Sequence, residues 1–178
     1  MQHITFADRL KETSIRGRVA FSITCLEIYF KHLNLQDDTL VQALLEKLWE
    51  FTPSNSLDEW EYEITGFLPT VILNSSASEK FENVTFLKHP QSKAYQKLYL
   101  SLPETLVTMI DTVADIGFAN LYAGTAGYSK STFDETMIVI DLMNQPQLPL
   151  PDLSRFERSE FSKFHGWGTA VNKEFFAA

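Results

Sequence analysis

Cysteine is almost missing from this chain. Cys25 stands alone, so no intramolecular disulfide can form, and a reducing compartment is the natural setting for it. Long hydrophobic runs are missing too: nowhere do about 18 apolar residues follow one another, which excludes a transmembrane helix, and no membrane partner is expected. Residues 1–13 carry Gln2, His3, Asp8, Arg9, Lys11 and Glu12, and so lack the apolar stretch of a secretory signal. A cytoplasmic location is therefore expected. The sequons Asn74-Ser75-Ser76 and Asn83-Val84-Thr85 then read as ordinary loop residues.

Positive charge is in the minority. Fifteen Lys and Arg face 23 Asp and Glu, a formal net charge of −8 with pI near 5.0. That balance argues against a nucleic-acid partner, which calls for a concentrated basic surface. It is compatible with a basic protein partner and equally with the ordinary charge of a soluble protein. Catalytic signatures are absent as well. No HExxH, CxxC, GxSxG, GxxxxGK[ST] or GxGxxG occurs, and no motif calls for a cofactor. This weighs against an enzyme without being decisive, because a site assembled from scattered residues leaves no local pattern.

What is present is helical periodicity. With 178 residues, 44% of them hydrophobic, the chain suffices for one domain with a sizeable core, 1–178. Aromatic residues make up 13%, including 14 Phe, and such side chains fill the gaps between helices. Ile15, Val19, Ile23, Leu26, Phe30 and Leu33 step by three or four along one helical stripe. Val41, Leu44, Leu45 and Leu48 repeat the spacing behind Asp37 and Asp38, whose charge suits a helix N-terminus. The short link 34–36 predicts an antiparallel hairpin of the two.

Ser56 and Glu59 predict a capping box ahead of a helix buried through Trp60, Ile64, Phe67 and Leu68, which Pro69 kinks or ends. Residues 74–91 show no period and read as a loop, with a short strand conceivable around Val84 to Leu87. Tyr95, Leu98, Tyr99 and Leu102 predict a short helix. Ser101 and Glu104 form a second box before a helix on Leu106, Met109, Ile110, Val113 and Ile116. Thr132 and Glu135 cap the next, which is apolar on most sides through Met137, Ile138, Ile140, Leu142 and Met143 and so belongs near the centre. Pro146, Pro149 and Pro151 enforce an extended connection to a last box, Ser154 and Glu157, before Phe156, Phe161 and Phe164. The segment His165-Gly166-Trp167-Gly168 then either straps over the helices or forms a recognition loop. The expected fold is all-α, a bundle-like domain of six to eight helices with antiparallel neighbours.

Candidate sites are few. Asp58, Glu59, Glu61 and Glu63 surround Trp60 and Tyr62, the composition of a protein-binding patch and also of a capped helix with a solvated face. Asp111 and Asp115 lie four apart on one predicted helix and could share a metal ion with Asp134 or Glu135. No His follows either at the di-iron spacing, however, and a solvated face explains them as well. His3, His32, His89 and His165 have no ligand spacing. The segment 124–129 reads as a helix end and loop, or as an anion-binding turn without its basic residue. Cys25, within the first long amphipathic helix, reads as a small buried residue.

The opening hairpin, Arg18 to Glu27 and on through Leu48-Trp49-Glu50-Phe51, and the closing run from Phe156 to Gly168 resemble small all-helical bacterial proteins without assigned enzymatic activity, among them polymorphic-toxin immunity proteins. The resemblance implies a protein that binds and blocks a basic toxin domain but assigns no residues; the acidic and aromatic composition points to Trp60, Glu59, Glu63 and Trp167 as the protein-binding residues. The alternative is a helical-bundle enzyme or small-ligand or metal-binding protein whose site, Asp111, Asp115 and Glu135, lies between helices.

Overall fold

The computed structural model describes residues 4–76 and 87–177. Among the described residues the protein is all-α, with nine helices and no β-strand: α1 Phe6–Glu12, α2 Ile15–His32, α3 Thr39–Trp49, α4 Leu57–Thr65, α5 Pro69–Ser76, α6 His89–Ser101, α7 Glu104–Phe118, α8 Lys130–Asn144 and α9 Ser154–Glu157. Two 3₁₀ turns, Phe164–Gly166 and Lys173–Phe176, follow. No described helix is long and apolar enough to cross a membrane.

The centre is α2. It packs against α3, α7, α8 and α9, while α7 and α8 pack on each other and α5 lies against α6 and α7. Sequence periodicity assigned α2 a single apolar stripe, yet every residue from Ile15 to Ile23 is buried, including Arg16, Arg18 and Ser22. Two arginines in a core need acceptors for most of their donors, and Arg16 Nε alone of their nitrogens has none among the described residues. Arg18 donates from Nε to the Leu10 carbonyl (3.1 Å), from Nη2 to that of Lys11 (3.0 Å), and from Nη1 to the Ser129 carbonyl (3.1 Å) and the Thr132 hydroxyl (2.6 Å). Its guanidinium stands 5.2 Å over the Phe161 ring. Burial pulls its pKa down to about 10, offset only in part by Tyr128 and Glu12. Arg16 donates from Nη1 to the carbonyls of Phe51 (2.6 Å) and Thr52 (2.9 Å), and from Nη2 to that of Ser54 (2.9 Å). One arginine ties α2 to α1 and the start of α8; the other ties it to the loop after α3.

Residues 159–171 form a strap over this same end of α2. Ser14 donates its amide to the Ser159 carbonyl (2.7 Å), Phe161 to Glu12 (2.8 Å), Arg16 to Trp167 (3.2 Å) and Val171 to Thr52 (3.1 Å). The hydroxyls of Ser14 and Ser159 are 2.6 Å apart. Of the two alternatives for the segment around Trp167, this packing is the strap. Its glycines are pinned rather than free: Gly168 has φ +78, and a Cβ there would stand 2.7 Å from the Ser159 hydroxyl and nearer still to that of Ser14.

Several local expectations are corrected. Ser56 occupies the N-cap of α4 but makes no side-chain cap bond. The hydroxyl of Ser101 instead donates to Leu98 (2.6 Å), and Pro103 takes the N-cap of α7. Thr132 and Glu135 lie inside α8, whose N-cap is Ser129 in the left-handed region (φ 52). Ser154 lies inside α9 and bonds Asp152 (2.7 Å). Working caps come from Thr5, which forms a box with Asp8, and from Ser14 and Asp38. Helix α4 ends at Thr65, ahead of Pro69 and short of Phe67 and Leu68, and Pro69 starts α5, so the sequon at Asn74 is helical rather than a loop. Helix α6 begins at His89, inside the segment expected to be a loop. The strand conceived at 84–87 and the sequon at Asn83 fall outside the described residues, except for Leu87 in a bend. Ile138 is exposed, so α8 is less central than its composition implies.

Candidate protein-binding face

Trp60 projects inward from α4. It is 3% exposed, its ring packs 4.8 Å from Phe51 and 5.5 Å from Phe118, and its indole N–H donates to the Lys47 carbonyl at 2.9 Å. A Cβ on Gly117 of α7 would stand 2.7 Å from this indole, so only glycine lets α4 approach so closely. Trp167 is half-buried, with its ring 6.3 Å from the same Phe51. Both tryptophans singled out as binding anchors thus meet on Phe51, where they join α4 and the strap to the core.

The acidic residues around Trp60 face outward, as one-residue steps on a helix require. Asp58 and Glu59 are exposed, and Glu63 is half-buried. Lys47 of α3 reaches both Glu50 and Glu63 with its ammonium, at 2.7 Å each, which holds the outer faces of α3 and α4 together. Tyr62 is 57% exposed and Tyr122, in the loop after α7, is 80% exposed. Tyr122 donates to Glu61 at 2.5 Å, and this bond to a carboxylate raises its phenol above the ordinary value. The result is a face with two open tyrosines among carboxylates. Tyr122 was missed by sequence reasoning because its partner is 61 positions away.

Asp111 and Asp115 do lie on α7 and Glu135 on α8, which packs against α7. Asp111 already accepts two bonds from Thr70 at the head of α5, from the amide (3.2 Å) and the hydroxyl (2.7 Å). Desolvation first, and the charge of Asp115 last, raise its pKa. Asp115 is raised by desolvation alone, and Glu135 by desolvation and then by Asp115 and Asp134. Among the described residues no three His, Cys, Asp or Glu side chains converge in a way that could hold a metal ion. Cys25 is buried, and desolvation pushes its thiol far above the ordinary range, which leaves the nucleophilic thiolate unpopulated.

No family model, curated protein or solved structure matches this chain.

Proposed function

We propose that this chain is a cytoplasmic, non-enzymatic protein-interaction module that binds and blocks a basic toxin domain in the manner of an immunity protein. The observation that carries the reading is the outer face of α4. There Asp58, Glu59 and Glu63 flank Tyr62, and Tyr122 is held beside them by Glu61. Tyrosine supplies a large contact area for little lost rotamer freedom, and a surrounding ring of one charge steers an oppositely charged partner and selects against others. The net charge of −8 acts in the same direction.

The test is co-expression of the chain with the product of the gene adjacent to its own. Under this reading the pair forms a 1:1 complex on gel filtration and growth is restored. The double variant Glu59→Lys, Tyr62→Ala leaves folding intact and loses both effects. Growth inhibition that persists with no complex formed sinks the reading.

A further inference from the structure

Two successive non-glycine residues of the strap, Phe164 (φ 49) and His165 (φ 55), lie in the left-handed region, whereas Asn34, Ser129 and Gln147 each do so singly. For a bulky side chain that conformation is an outlier. The turn itself serves the fold. Trp167 donates its amide to the Phe164 carbonyl (3.1 Å) and Gly168 to that of Lys163 (3.1 Å), which sets Trp167 against Phe51 and Gly168 against Ser14. The residue at its tip does not. Asparagine takes the left-handed conformation at lower cost, and the Phe164 side chain, 65% exposed, gains little burial in exchange for the strain. A residue that costs the fold and stays in solvent points to a task outside the fold.

The turn adjoins the acidic face. One loop after α7 touches both: Tyr122 donates to Glu61 of α4, and the Thr125 hydroxyl donates to the His165 carbonyl. Three residues of chain span at most about 11 Å, and a standard interface takes roughly 800 Å² from each partner, so one footprint covers both contacts. Glu160 and Lys163 beside the turn pair with each other at 4.0 Å. The strap thus adds an apolar ring without opposing the negative field of Asp58, Glu59, Glu61 and Glu63. Resting on the interaction reading above, we propose that Phe164 is the apolar anchor of that interface and enters a nonpolar pocket beside the basic patch of the partner protein. A desolvated aromatic anchor carries much of the energy of an interface, while the charges around it steer and select. The strained turn holds the ring outward before the partner arrives, so little freedom is lost on binding.

The experiment uses the full chain and the product of the adjacent gene, with affinity read by titration calorimetry and folding by thermal melting. Phe164→Asn suits the left-handed position, so its melting temperature stays level or rises while the complex weakens about thirtyfold. Leu100→Gln, at an exposed apolar position of α6, leaves affinity unchanged. A Phe164→Asn complex as tight as that of the wild-type chain overturns the proposal. So does a clear fall in its melting temperature, which would make the ring part of the core, or an equal weakening by Leu100→Gln, which would make the effect one of general surface hydrophobicity. If Phe164→Asn binds normally while the Glu59 and Tyr62 variant does not, the anchor proposal falls and the interaction reading survives. If Phe164→Asn loses the complex and the Glu59 and Tyr62 variant keeps it, the α4 face is the part that fails. No complex with the wild-type chain overturns both.

Discussion

Arg18 donates to the hydroxyl of Thr132 at 2.6 Å in the buried centre of the molecule, across 114 positions of sequence. Thr132 also contacts Ser129, whose left-handed backbone opens α8, so one guanidinium holds that turn by its carbonyl and by its neighbour's hydroxyl. Arg18→Met keeps the apolar stem of the side chain and removes all four donated bonds, although the Leu10 and Ser129 carbonyls retain the amides of Thr13 and Phe133. The expected loss is about 3 kcal/mol, combining the lost charge-assisted bonds with the space the guanidinium leaves. Thr132→Val should cost about 1 kcal/mol. Urea denaturation measures both, and an Arg18→Met protein as stable as wild type would show that these bonds contribute nothing net.

Trp60 and Tyr62 are two residues apart with opposite duties. Trp60→Ala removes an indole packed on Phe51, Phe118 and Gly117 and is expected to cost about 3 to 5 kcal/mol. Tyr62→Ala, at an open position, should stay within about 0.5 kcal/mol. Thermal unfolding of the pair separates core from surface directly; similar losses for both would place Tyr62 in the core.

Helix positions were legible in the sequence wherever one apolar stripe persisted, as in α3 through Val41, Leu44 and Leu48 and in α7 through Leu106 to Ile116. Caps were not. A hydroxyl three residues before an acid occurs by chance on any polar surface, and Ser101, Thr132 and Ser154 found other acceptors nearby. The burial of Arg16 and Arg18 was invisible for a different reason. All but one of their acceptors are backbone carbonyls, which every residue carries, brought from as far as 111 positions away. The aromatic face was half legible: the acids of α4 stood out and the apolar spacing put Trp60 in the buried stripe, but nothing local in the sequence brought Tyr122 to Glu61, 61 positions away.

Gly168 occupies a left-handed position with no room for a Cβ. Gly168→Ala should destabilise by about 2 kcal/mol or more, combining backbone strain with displacement of the paired hydroxyls of Ser14 and Ser159. Gly124→Ala, in open space without a left-handed φ, serves as the comparison and should be neutral or slightly stabilising. Equal melting temperatures for the two variants would contradict the close packing of the strap.

Asp115 is a carboxylate whose pKa is raised by desolvation. An acid with a raised folded pKa binds more protons folded than unfolded, so its contribution to stability falls as pH rises out of the ordinary carboxylate range. Asp115→Asn should therefore stabilise the protein by a few tenths of a kcal/mol at about pH 7, the small size reflecting solvent screening of an exposed side chain, and do nothing at about pH 3. Chemical denaturation at the two pH values decides it; a gain that is equal at both would assign the effect to something other than charge.

The bonds between residues 12–16 and 159–167 also govern the order of events during synthesis. The ribosome makes α2 early, yet the segment that covers its first turns arrives nearly 150 residues later. Until then the apolar surface around Ile15 and Val19 has no roof, and the nascent chain is at its most vulnerable to chaperone capture and aggregation. Closure, not elongation, completes this molecule.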